Sequence, residues 1–115
     1  MNAKIENKLG KIEFSENALQ QMVGYMVTEE SYGIVGMSNK GDLWEIFKPN
    51  SVSKGVDVAV TDENKIKVNL QVIAKYGVSL KTVADNVIEN VKFTLEDLTG
   101  LAVDSVNVII ENIRV

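Results

Sequence analysis

The sequence predicts an α/β (α+β) two-layer sandwich, a mixed β-sheet with two main helices packed on one face. Three observations predict it. Residues 65–74 alternate strictly, with Ile66, Val68, Leu70 and Val72 on one side and Lys67, Asn69 and Gln71 on the other. That is the period of a strand with one buried and one wet face. Residues 80–98 instead carry apolar side chains at helical spacing. A strand, a helix and a further strand then close the chain, which implies a right-handed crossover and a last strand parallel to residues 65–75. Helices and sheet each offer one apolar face, and two such layers cover each other.

Taken in order, residues 1–8 read as an N-terminal arm and residues 9–115 as a single domain. Residues 10–14 read as a short strand or extended entry. Ser15 is a good N-cap, because its hydroxyl can accept from the free amides of the first helical turn. Phe14 and Leu19 flank it at hydrophobic-staple spacing, and Glu16 suits the positive end of the helix dipole. The first helix is expected at about 15–30, with Ala18, Leu19, Met22, Tyr25 and Met26 on its apolar stripe.

Residues 33–38 are short, apolar and β-rich, a buried strand in which Gly33 and Gly36 suggest a bulge or close backbone approach. Asn39, Lys40 and Gly41 are turn formers. Asp42 begins a short helix carrying Leu43, Trp44, Ile46 and Phe47, which Pro49 closes. After a polar loop, residues 56–60 alternate again, and Asp62, Glu63 and Asn64 turn the chain into the strand over 65–74. Ser79 caps the long helix, whose stripe reads Leu80, Val83, Ala84, Val87, Ile88, Val91, Leu95 and Leu98. Gly100 ends it. Residues 103–115 form the last strand, with Val106, Val108 and Ile110 on one face.

Composition narrows function. The 115 residues include no cysteine and no histidine, which removes disulfides, thiolate metal sites and the usual general base near neutral pH. Sixteen acidic against twelve basic residues give a net charge of −4, a field that mildly repels phosphate backbones. The polar sheet face also lacks the aromatics on which RNA-binding sheets stack bases. No stretch approaches the ~18 apolar residues of a membrane span, and residues 1–11 have no apolar core of a signal peptide. The chain therefore reads as cytoplasmic, with no direct membrane insertion, no nucleic-acid partner, no cofactor, no metal and no enzymatic activity. Its acidic residues lie in turns and on helix faces, without the convergence that paired carboxylates need for acid/base work. A cation at the turn of Asp62 and Asn64 lacks the loop spacing of a calcium site.

What remains are candidate protein contacts. Phe93 lies about 180° from the centre of the long helix's stripe at 100° per residue, beside Asn86 and Asn90. It is either a lone exposed hydrophobe or a contact residue. Trp44 and Phe47 either cap one end of the core or anchor a partner. The wet sheet face of Lys67, Asn69, Gln71, Asn107 and Ile109 is either solvated or self-associating.

Three stretches carry a resemblance when taken together. Gly10-Lys11-Ile12-Glu13-Phe14-Ser15 leads through a helix to Gly33-Ile34-Val35-Gly36-Met37. Gly55-Val56-Asp57-Val58 is followed by a strand ending Ile73-Ala74-Lys75-Tyr76-Gly77. Thr99-Gly100-Leu101 precedes Val106-Asn107-Val108 and Glu111-Asn112-Ile113. In this ordered set, over about residues 9–115, the sequence resembles the alkaline shock protein family, the envelope stress response proteins of Gram-positive bacteria. The chain lacks the long charged tails of larger members and resembles the short, housekeeping type. The resemblance implies a non-enzymatic protein of cell-envelope homeostasis or stress response, a homo-oligomer that reaches the membrane through a membrane-anchored partner. It carries over no catalytic residues. Two other readings stay open: a regulatory partner of a lipid- or fatty-acid-metabolism enzyme, and a small nucleic-acid-binding domain.

Overall fold

The computed structural model describes residues 1–30, 33–37 and 55–115. Their elements are β1 (Ala3–Asn7), β2 (Gly10–Phe14), α1 (Glu16–Glu30), β3 (Ile34–Met37), β4 (Val56–Val60), β5 (Ile66–Lys75), α2 (Leu80–Thr99) and β6 (Val103–Arg114). The expected short helix with Trp44 and Phe47 lies outside the described residues.

Strand β5 is the axis of the main sheet. Its core-facing residues Ile66, Val68, Leu70, Val72 and Ala74 are all 0% exposed, as the alternation requires. β6 runs parallel along one of its edges, from Val103 opposite Ile66 to Arg114 opposite Lys75. The other edge is shared end to end by two antiparallel strands, β4 facing residues 66–70 and β3 facing residues 72–74. Met37 lies opposite Val72 and Val56 opposite Leu70, so β3 and β4 take up almost consecutive places on that edge. Between them the Gln71 amide donates to the Gly55 carbonyl at 2.8 Å. The bulge anticipated from the glycines sits between Ile34 and Gly36.

Helix α1 begins where Ser15 Oγ accepts from the Ala18 amide at 3.0 Å. Its buried residues are Leu19, Val23, Met26 and Val27, with Met22 half-covered, while Tyr25 is 58% exposed. The expected stripe was thus turned too far toward Tyr25. Val23 and Val27, both 0% exposed, lie on the buried side in its place. Helix α2 starts at Ser79 and stops at Gly100, which takes φ +74 and donates its amide to Glu96 O. It buries Val83, Val87, Val91, Leu95 and Thr99, a strict four-residue row. Such a row advances about 40° per step, so it slants across the helix. Leu98, expected in the stripe, therefore ends up 61% exposed, and Leu80 37% exposed, although both match the average direction of the apolar face.

The first residues are not a loose arm. β1 pairs antiparallel with β2 in a separate two-stranded sheet, with Ala3 opposite Phe14. Ala3 is fully buried and Ile5 packs on the core. The hairpin is held by Asn64 in the β4–β5 turn, which accepts the Lys4 amide at 2.9 Å and donates to the Lys4 carbonyl at 2.6 Å. Asn64 also takes φ +64, a conformation that asparagine tolerates better than most residues. Fully burying each Val, Leu or Ile of the common core contributes about 1.5–3 kcal/mol, and one cluster joins both helices, the main sheet and Ala3.

Candidate interaction surfaces

Three surfaces frame the sandwich. The first is the outward side of α2. Phe93 is 74% exposed there, the largest apolar side chain on that face. Asn90 precedes it by three residues and Asn86 by seven, both exposed, so the three share one side of the helix. This is the grouping the sequence implied. The buried row lies on the opposite side, so Phe93 projects away from the core. Trp44 and Phe47 lie outside the described residues.

The second surface is the outer face of the main sheet. Lys67, Asn69 and Asn107 are exposed, Gln71 is half-buried and Ile109 is 51% exposed. Asn107 donates through Nδ2 to Asn69 Oδ1 at 3.0 Å across the parallel strands. Asp104 lies 4.0 Å from Lys67 at the end of this face.

The third was not found from the sequence. A groove of about 640 Å³ lies where the sheet runs past the start of α2, lined by Tyr76, Val78, Leu80, Ile113 and Val115. Its signal was present in the residues only as a mismatch. Tyr76 and Ile113 are apolar at positions that the helix, starting at Leu80, does not cover.

Two of the carboxylates make structural contacts. Glu96, which lies off the apolar stripe, is half-buried and accepts the Val103 amide at 2.9 Å, tying the end of α2 to the start of β6. Glu13 takes Lys11 at 2.8 Å, Lys4 at 3.9 Å and Asn2 at 3.2 Å. The hydrogen bond from Lys11 is the main reason its carboxyl is held below the usual range. The bond to Glu13 likewise raises Lys11. At the turn considered for a cation, the Asn64 oxygen is occupied by the Lys4 amide. Among the described residues no group of three His, Cys, Asp or Glu side chains gathers.

With the fold in place, a family profile matches residues 4–115, that of the alkaline shock protein 23 family, described as having a cell envelope-related function. The chain belongs to this family. The match begins inside β1, in keeping with a hairpin that is part of the domain. The chain is 39% identical over 119 aligned residues to the uncharacterized protein Spy1614 of Streptococcus pyogenes serotype M6, covering 100% of this chain and 97% of that protein. It is 35% identical to the uncharacterized protein YloU of Bacillus subtilis (strain 168), covering 100% and 98%. It is 28% identical to the uncharacterized protein YqhY of the same strain, covering 95% and 81%. No solved structure matches. Among the described residues no helix is long and apolar enough to cross a membrane.

Proposed function

We propose that this protein is a non-enzymatic, self-associating scaffold of the cell envelope, acting from the cytoplasmic side and held near the membrane by a membrane-anchored partner. The family's cell envelope-related function supports the setting. The observation that carries the binding role is Phe93, 74% exposed on the outer face of α2 between Asn90 and Asp97. An aromatic anchor ringed by side chains that can hydrogen-bond is the composition of an interface hot spot. So exposed a side chain contributes little to folding, so its removal separates binding from stability.

The test is affinity capture of the tagged chain from solubilised membranes, with bound integral membrane proteins identified by mass spectrometry. Phe93→Ala is expected to change stability by less than about 0.5 kcal/mol and to weaken capture about tenfold or more. Capture of a soluble lipid-metabolism enzyme in place of a membrane protein would make the chain that enzyme's regulatory partner. Equal capture by wild type and F93A would remove α2 as the binding face.

A further inference from the structure

The free edge of β6 is self-complementary. Among the described residues β6 pairs only with β5, so a strand of 12 residues shows its other edge. Long apolar edges are pairing templates that proteins normally blunt with charge, proline or a cover. Between its termini β6 carries few charges, and its core-facing residues at this edge are only partly covered. Val108 and Ile110 are half-buried and Ile113 is 41% exposed, whereas their neighbours Leu70, Val72 and Ala74 on β5 are fully buried. Among the described residues the apolar face of the sheet thus continues to the edge without a further strand beside it.

The register on β5 shows what fits. Ile109 lies opposite Gln71. One step to either side along β5 come Val108 and Ile110, opposite Leu70 and Val72. Two steps away are Asn107 and Asn112, and three steps away Val106 and Ile113. Four steps away are Ser105 and Arg114. Apolar answers apolar on the core side and Asn answers Asn on the outer side. Asp104 is the extra residue of a second irregularity, between Ile66 and Lys67, and stands beside Ser105, within reach of Arg114 of the other copy. The match depends on the irregularity between Val72 and Ile73, where β6 advances from Ile110 to Asn112. The extra residue, Glu111, returns Asn112 to the outer face and Ile113 to the core face. Without it the faces would fall out of step, since a one-residue slip exchanges the two sides of a strand.

We propose that two copies of this chain pair antiparallel along β6 about a two-fold axis at Ile109, joining their main sheets into one. The interface is isologous, as a two-fold dimer requires. Each half supplies the apolar pairs Val108 with Ile110 and Val106 with Ile113, and the opposite charges Asp104 and Arg114 meet at both ends. This deepens the self-association proposed above by naming the partner and the surface, and it leaves the outer face of α2 free for another protein.

The chain has no cysteine, so a single Ile109→Cys places the only thiol of each copy at the axis, where facing Cβ atoms lie within disulfide reach. Light scattering of the full-length protein is expected to show twice the 12.7 kDa of one chain. Mild oxidation should lock I109C into a covalent dimer and leave Phe93→Cys uncrosslinked. Ile109→Lys sets two like charges face to face and should weaken dimerisation about tenfold, with an unchanged circular dichroism spectrum. Arg114→Asp should also weaken it, and adding Asp104→Arg should restore it. A monomeric wild type overturns the pairing. So does a dimer that I109K leaves intact and I109C does not trap. In that second case self-association survives through another surface. An I109K monomer that still captures a membrane protein keeps the envelope role separate from the pairing.

Discussion

Replacing Gly33, just before β3, with alanine puts a methyl group against the first turn of α2. Gly33 has φ +85, and an added Cβ would stand 2.6 Å from Val83 Cγ2 and 3.5 Å from Val78 Cγ2. Val83 is 3% exposed and β-branched, so in a helix it has essentially one rotamer and cannot swing aside. The left-handed backbone costs alanine about 1–2 kcal/mol. Overpacking a filled core adds about 1–3 kcal/mol, so the sum is about 2–5 kcal/mol. Gly77 supplies an internal control, because it has φ +95 with nothing within 4 Å of an added Cβ. There only the backbone contribution applies, about 1–2 kcal/mol. Urea unfolding of G33A and G77A, read from midpoints at matched slopes, measures the difference. Repeating G33A in a Val83→Ala background removes the methyl that is struck, and the penalty should fall to that of G77A. Equal penalties for G33A and G77A in the wild-type background, or no relief from V83A, would refute the close packing of Gly33 against Val83.

Three further outcomes are expected. Asn64→Gly keeps the positive φ but loses both bonds to Lys4; it should cost about 1 kcal/mol and speed amide exchange across residues 3–14, measured by mass spectrometry. Thr99→Val removes a buried hydroxyl that donates to Leu95 O at 2.6 Å and accepts the Leu101 amide at 3.2 Å; the stranded amide should cost about 1–3 kcal/mol in thermal unfolding, and Thr99→Ser should cost less. Glu13 has a carboxyl pKa lowered first by its hydrogen bond from Lys11. A depressed folded-state value stabilises the fold above the unfolded-state pKa and loses that contribution as pH falls through the folded-state pKa. A carboxyl NMR titration should place the Glu13 midpoint below that of an ordinary glutamate, and Lys11→Met should move it upward.

Several elements were legible because local chemistry decides them. The alternation over residues 65–74 assigned β5 its buried face, since a pleated strand leaves only two sides. Ser15, Ser79 and Gly100 marked helix ends because a cap satisfies amides or turns the backbone within one turn of the chain. The exposed group of Phe93, Asn86 and Asn90 was legible for the same reason, as it lies opposite the buried row at its own level of α2.

Other features depend on distant contacts. Tyr25 and Leu98 looked like core residues on a helical wheel and are exposed, because α1 turns the side of Leu19, Val23, Met26 and Val27 inward and because a wheel averages over the whole of α2 while its buried residues follow a slanted row. Residues 1–8 looked like an arm, since their hold on the domain comes from Asn64, sixty positions from Lys4. The groove at Tyr76 and Ile113, and the matching halves of β6, appear only once β5 supplies a register and the bulge at Glu111 resets the faces. Periodicity is a property of a few consecutive residues, so the chain itself determined its strands, helices and caps. Which way each helix rolls, and which edge is left unpaired, depends on contacts between residues far apart in sequence, and only the tertiary structure decided these.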